Sequence, residues 1–387
     1  MNPWDQKVFN ETFDILTNNT LSRAELNYEN GDYKNIHYGD VLIKFPAHID
    51  TSSPDVPYIN DENASKKFDG ALLHNGDIVF ADTAEDYTVG KATEIEITAE
   101  CKVVSGLHTI PCRPKMRFSP RYLGYFVNSP KYHNQLIPYI QGVKVSSISK
   151  TLIKNTTISY PSLEEQTKIA SFLSCLDEKI AVQNKIIEDL KVLKKELCNK
   201  VFSSAEYVRL GDYITEITTR NKANSCDNVL SVSNKMGFIK QSEQFEDRTV
   251  ASEDKRNYKV VTEGCFAYNP ARINVGSIAL LETQKVGIIS PMYVCFKTSN
   301  ELIADYLKFY YQSAIFFKEL HKKLEGSVRQ CLTYENMCEI QIPYVNVEQQ
   351  RKIATALKEF TTRIVLEEQY LRALQRQKAY FLNAMFI

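Results

Sequence analysis

Tyr160-Pro161-Ser162-Leu163-Glu164-Glu165-Gln166-Thr167-Lys168-Ile169-Ala170 opens a segment that the chain writes a second time, as Tyr344-Val345-Asn346-Val347-Glu348-Gln349-Gln350-Arg351-Lys352-Ile353-Ala354. The offset of 184 residues holds without a gap from 158–202 against 342–386, where 13 of 45 positions are identical. Among them are Gln166/Gln350, Leu173/Leu357, Lys194/Lys378 and Phe202/Phe386. Chance does not supply such a match, and an internal repeat decides the architecture before any local reading does. The same offset relates Tyr122-Leu123 to Tyr306-Leu307 and Gly142 to Gly326. Nearer the N-terminus it drifts to 186–188, pairing Val89-Gly90 with Val275-Gly276 and Gly76 with Gly264, as loops of unequal length require.

The repeated segment reads as a long helix. Ile169, Leu173, Leu176, Ile180, Ile187, Leu190, Leu197 and Val201 recur at heptad spacing, as do Ile353, Leu357, Phe360, Ile364, Leu371, Leu374, Phe381 and Met385. Polar residues break both seams at matched places, Gln183 with Glu367 and Lys194 with Lys378, the pattern expected of layers that fix register. About 39 helical residues at 1.5 Å rise give a rod of roughly 58 Å, more than one small domain covers. If the two helices pair antiparallel, two similar globules are related by an approximate two-fold axis, a geometry suited to two half-sites on one duplex. The expected organisation is a first globular domain over 1–158, a helix over 159–203, a second globular domain over 204–342 and a second helix over 343–387.

The variable segments read as α+β. Strands are expected over 40–45, 77–81, 94–97, 229–232, 277–281 and 292–296, between Gly, Pro and Asn breakers. Each segment closes on a helix. The first spans 121–128, with Ser119 as N-cap and Pro120 at the first helical position; the second spans 304–317. A polar glycine loop follows each helix, 141–147 and 325–330. Loops of this kind on a rigid scaffold suit base-edge reading.

Length and composition agree with this plan. The 387 residues, 43% hydrophobic and 24% charged, are globular proportions and predict two or three domains. No apolar run is long enough to cross a bilayer, and Met1-Asn2-Pro3-Trp4-Asp5-Gln6-Lys7 lacks a signal pattern, so a soluble, cytoplasmic protein is expected. Nine cysteines with no Cys-x-x-Cys pair read as free thiols in a reducing compartment. Net charge is zero, but residues 1–100 carry 19 acids against 7 bases, while 101–163 carry nine bases and no acid. Tyr, Phe and Ser are interleaved with those bases, which suits a phosphate backbone. The plainer alternative is neutralisation of these bases by the acidic first hundred residues.

Catalytic strings are missing. There is no Gly-x-x-x-x-Gly-Lys-[Ser/Thr] loop and no glycine fingerprint for a dinucleotide. Tyr268-Asn269-Pro270-Ala271 is the nearest string to an amino-methyltransferase motif, but it lacks the second proline and the ring and reads as a turn. Glu253-Asp254-Lys255 and Asp177-Glu178-Lys179 have nuclease-like spacing without a partner acid. The six histidines form no short-range metal pair.

The duplicated Tyr-x-x-hydrophobic-Glu-x-Gln-x-Lys-Ile-Ala string, each copy opening a heptad helix, resembles the specificity (S) subunit of Type I restriction–modification systems. The resemblance covers essentially the whole chain. It departs from the usual pattern where Val345 replaces Pro161, with Pro343 two residues earlier. The resemblance implies two target-recognition domains and an antiparallel coiled coil with pseudo-two-fold symmetry that sets the distance between half-sites. It implies a non-catalytic chain that reads a bipartite, asymmetric target in double-stranded DNA. Two modification (M) subunits, which bind S-adenosylmethionine and methylate adenine, and restriction (R) subunits would dock on it; the chain itself would need no cofactor, metal or membrane. DNA contacts are expected from Arg113, Lys115, Arg117, Arg121 and Lys144 in the first segment. In the second they are expected from Arg220, Lys222, Arg248, Arg256, Arg272 and Arg329. Gln166, Lys168, Ile169, Gln350, Lys352 and Ile353 are candidates for structural or M-subunit contacts, with packing inside the coiled coil as the equal alternative. A single-chain methyltransferase or nuclease with a divergent active site is the enzymatic alternative, and a scaffold that binds no DNA is a third.

Overall fold

The computed structural model describes residues 4–60, 68–98, 101–142, 145–203, 206–234, 236–244, 254–282, 284–324 and 331–386. The chain forms two compact units, residues 1–184 with 370–387 and residues 185–369. Each therefore holds one variable segment, one end of the first long helix (Leu163–Ser203) and one end of the second (Val347–Ala384).

In the first unit a five-stranded sheet runs in the order Phe13–Ile15, Thr109–Pro114, Ile78–Ala81, Ala92–Glu96, His48–Asp50. All neighbours are antiparallel except the last pair. Short helices Tyr122–Val127 and Pro130–Leu136 cover it. Phe80, Ile110, Tyr122, Phe126, Tyr132 and Leu173 meet in its main core. A second, four-stranded sheet packs on a cluster around Ile36, Val41, Phe45 and Val103 that it shares with Val79, Ala81 and Ile95 of the first sheet. Asp5–Val8 pairs antiparallel with Thr157–Tyr160, the strand that leads the chain into the long helix.

The second unit repeats the plan with two four-stranded sheets. One contains Ile214–Glu216, Val294–Thr298, Phe266–Tyr268 and Ile278–Leu280; the other is built around Val229–Ser233 and Val286–Ile289. Glu206–Arg209 pairs with Gln341–Tyr344 as the lead-in to the second helix.

Within the first unit the helix segments run antiparallel. Phe172 meets Phe381 edge-on at 4.8 Å, and Asp177 pairs with Lys378. In the second unit Lys191 bridges to Glu368 at 2.6 Å. The terminal phenylalanines of the repeat take equivalent places: Phe386 packs on Tyr122 and Phe126, and Phe202 on Tyr306 and Tyr310.

Three local expectations are corrected. Residues 40–45 do not form a strand; Tyr38–Ile43 is helical. His37 Nδ1 accepts from the Gly39 N–H, buried Asp40 pairs with Arg23 at 2.7 Å, and Ile43 is left 85% exposed, so the burial period is helical. Ser119 and Pro120 do not cap the next helix. Arg121 is left-handed (φ 69°) at its N-cap, and Glu94 caps from the sheet by accepting from the Arg121 N–H at 2.6 Å and the Gly124 N–H at 2.8 Å. The helix expected over 304–317 is two, Ala304–Tyr310 and Ala314–Lys323. Ser313 Oγ breaks it by bonding the Tyr310 carbonyl and capping the Phe316 N–H, as Ser129 does in the first unit with Phe126 and Tyr132.

Candidate nucleic-acid interface

The two glutamines of the repeated string face inward. Gln166 is 2% exposed; its Oε1 accepts from the Ser119 N–H at 2.9 Å and its Nε2 donates to the Pro161 carbonyl at 2.9 Å. Gln350, fully buried, accepts from the Ile303 N–H at 2.8 Å and donates to the carbonyls of Val345 at 2.8 Å and Glu301 at 2.9 Å. Positions 119 and 303, like 161 and 345, are 184 apart, so one staple is made twice. Beside it the Tyr122 hydroxyl donates to the Ser159 carbonyl at 3.1 Å and the Tyr306 hydroxyl to the Pro343 carbonyl at 2.9 Å. These bonds lock each recognition fold to its own helix start. Gln166, Gln350 and buried Ile169 thus offer no surface to another protein, and Ile353 is half-buried in its unit's core. Lys168 and Lys352 do face solvent, in i,i+4 pairs with Glu164 and Glu348.

The expected DNA-contacting cations divide into bound and unbound. Arg113 makes a two-pronged ion pair with buried Asp77, at 3.0 and 2.7 Å, and donates to the Leu72 carbonyl. Lys115 holds Asp14 at 3.2 Å and the Asn10 carbonyl. Arg121 grips Glu96 at 3.1 Å and Ser174 Oγ at 2.9 Å. With Arg117, the two arginines line one cleft of about 550 Å³ that also holds Glu94, Glu96 and Asp77. Lys102 pairs with Asp69 at 3.0 Å. The acidic first hundred residues thus neutralise much of the basic stretch that follows them. In the second unit Arg256 pairs with Asp254 at 2.9 Å, and Arg220 donates to Asn257 at 3.2 Å. Arg117, Lys222 and Arg272 are exposed and make no ion pair among the described residues. Lys144, Arg248 and Arg329 lie outside the described residues, as does the loop 325–330.

Sequence reading missed a pair of equivalent turns. In the first unit, residues 82–91 join Ile78–Ala81 to Ala92–Glu96; in the second, residues 269–277 join Phe266–Tyr268 to Ile278–Leu280. Each turn is tied to the chain that follows the short helices: the Ile148 N–H donates to the Asp82 carbonyl at 2.9 Å, and the Leu332 N–H to the Pro270 carbonyl at 3.1 Å. Ile148 and Leu332 are again 184 apart. Each turn ends on a glycine at φ 87°, Gly90 or Gly276, a conformation that side-chain-bearing residues rarely hold. The paired Val89-Gly90 and Val275-Gly276 were the signal that could have found them.

Among the described residues no three His, Cys, Asp or Glu side chains group to hold a metal ion, and no helix is long and apolar enough to cross a membrane.

The profile of the family described as Type I restriction modification DNA specificity domain matches residues 1–192 and again residues 203–376. A Methanocaldococcus jannaschii protein named, provisionally, the MjaX type I restriction enzyme specificity subunit is 26% identical over 338 residues, covering 80% of this chain and 77% of that protein. The solved S subunit of a Type-I restriction-modification system from M. genitalium aligns with 100% of this chain and 97% of its own, with a TM-score of 0.59 and 13% identity. A chain solved in work on the complex assembly and conformational transition of the type I R-M system aligns over 100% and 98%, with a TM-score of 0.58 and 17% identity. At those identities the two structures speak to the fold.

Proposed function

Since the chain belongs to the Type I restriction modification DNA specificity family, matched in both halves, we propose that it reads a bipartite, asymmetric target in double-stranded DNA, one part with each recognition unit. It is the specificity component of such a system and not its catalyst. The observation that carries the bipartite reading is the repeated staple: Gln166 and Gln350 fix two recognition folds to two helix starts with the same bonds. Two equivalent readers on one chain suit two half-sites on one duplex. Exposed cations such as Arg117, Lys222 and Arg272 supply phosphate or base contacts.

The long helices carry the partners. Val182 and Leu366 occupy equivalent positions on them and are 60% and 53% exposed. Ile186 and Tyr370, one turn on, are a second exposed equivalent pair, and a repeated apolar face on each helix supports the docking of two modification subunits, which bring S-adenosylmethionine and transfer its methyl group to adenine; restriction subunits join them for cleavage. The reading is tested by mapping adenine methylation across the host genome with and without the gene. Loss of a single asymmetric two-part motif, methylated on both strands, is the expected result. An unchanged methylome, together with failure of the tagged chain to bring down any modification subunit, overturns it.

A further inference from the structure

An asymmetric target poses a structural problem for a chain built twice. If both units approach DNA with the same frame, the difference between half-sites has to come from positions that are equivalent in the frame and different in chemistry. The two turns described above meet both conditions. Their backbones are pinned alike, by the bonds from Ile148 and Leu332 and by the left-handed glycines. Their outward side chains share nothing. In the first unit Ala84 and Val89 are buried anchors, and residues 85–88 between them, Glu85-Asp86-Tyr87-Thr88, are exposed. Asp86 Oδ1 accepts from the Thr88 N–H at 2.9 Å, which braces the turn, and Tyr87 stands 78% exposed at its tip. In the second unit Ile273 is the buried anchor, and Ala271, Arg272, Asn274 and Val275 face outward. Asn269 Oδ1 accepts from the Ala271 N–H at 3.1 Å, and the Arg272 carbonyl accepts from the Val275 and Ser277 N–H groups, both at 3.2 Å. A rigid backbone under an exposed side chain is what base reading needs, since ordering a mobile loop costs affinity.

The chemistry of the two turns is complementary to different base edges. A guanidinium reads the O6 and N7 acceptors of guanine, and a neighbouring carboxamide can pair with adenine; a carboxylate accepts from the cytosine amino group. Several arginines elsewhere on the frame are held in ion pairs, Arg113 with Asp77, Arg121 with Glu96 and Arg256 with Asp254, and exposed Arg117 lies outside both turns. Arg272 is exposed and unpaired among the described residues. We infer that these turns are the half-site discriminators: Arg272 reads a guanine in the second unit's half-site, and the Glu85–Tyr87 tip reads the first unit's half-site without a basic side chain. The inference rests on the DNA-specificity reading and adds to it the residues that make the target asymmetric.

The test uses the complex purified from its host through a tag on the full chain. The methylated motif is mapped for the wild-type chain, for Arg272→Ala and for Tyr87→Ala, and binding is measured by competition between duplexes that differ at single base pairs. Arg272→Ala is expected to lose roughly 10–100-fold of discrimination at one G·C pair of one half-site, with the other half-site unchanged. Tyr87→Ala is expected to alter only the opposite half-site. Two outcomes overturn the inference: an unchanged motif in both variants, or a uniform weakening across all duplexes, which marks a phosphate contact. Should Arg272→Ala fail to assemble, Arg272→Gln keeps a polar side chain of similar reach, and its motif decides by the same criteria. A wild-type complex with no two-part motif at all would instead sink the functional reading itself.

Discussion

Gln350 commits both ends of its amide to three backbone groups, and Gln166 commits its own to two. Replacing Gln350 by leucine keeps the volume and strands the Ile303 N–H with the Glu301 and Val345 carbonyls. Unpaired buried groups of this kind cost about 1–3 kcal/mol each way the balance falls. Thermal unfolding with hydrogen exchange is expected to show that loss in the second unit for Gln350→Leu, and a smaller one in the first unit for Gln166→Leu. Both glutamines were visible in the sequence as identities of the repeat, but their partners were not, because Ser119 and Ile303 lie 47 residues away in the chain. Glu94 was invisible in the same sense. Burial pushes its carboxyl up to about 7 despite the N–H bonds from Gly124 and Arg121. A folded value above the unfolded one of 4.5 gives a stability contribution that is full below pH 4.5 and lost as pH rises toward 7, about 3 kcal/mol in all. His48, lowered chiefly by burial and then by Arg121, works in the opposite direction, losing stability as pH falls. The slope of unfolding midpoint against pH between 5 and 7 is therefore expected to become more positive in Glu94→Gln than in the wild type; an identical slope would refute this assignment.

At the level of elements, the heptad reading located both long helices, and the matched lysines on them turn out to live in different surroundings. Lys378 pairs with Asp177, which also accepts from the Tyr125 hydroxyl at 2.8 Å, and lies 5.9 Å from the Tyr125 ring centre. Lys194 has the Phe309 ring at 5.4 Å and Gln312 at 3.2 Å, with no carboxylate among the described residues. Its ammonium is held below its usual range by burial. The same substitution should then give opposite results. Lys378→Met leaves a partly exposed carboxylate short of a partner, at a cost of about 1–3 kcal/mol. Lys194→Met removes only a partly desolvated charge and is expected to be neutral or stabilising, both read from chemical denaturation midpoints. Shorter elements were less legible. Residues 40–45 carry the apolar run Val41-Leu42-Ile43 that suits a strand, and the Asp40–Arg23 pair and the His37 cap favour the helix instead. Ser119-Pro120 carries the local signature of a cap, but a carboxylate from the sheet occupies that role. In each case a contact distant in sequence overrode a local preference.

For the whole molecule, the repeat was legible because it is covalent information, while the charge split between 1–100 and 101–163 left two readings open in the sequence, and in the fold carboxylates of the first stretch meet cations of the second. The division into units has one more consequence. The core of the first unit includes Phe386, with Phe381, Leu382 and Met385 packed against it and Trp4 6.3 Å from the Phe386 ring. The second unit, by contrast, closes within residues 185–369. On the ribosome the usual order is therefore inverted: the half synthesised first has to wait for the last helix before its apolar face is covered, and the half synthesised second can finish earlier. A chain truncated after residue 369 should yield a protease-resistant fragment from the second unit while the first is still being cut, and a chain that includes residues 370–387 should protect both. Until the last helix is in place the exposed core around Tyr122 and Phe126 is a natural client for chaperones.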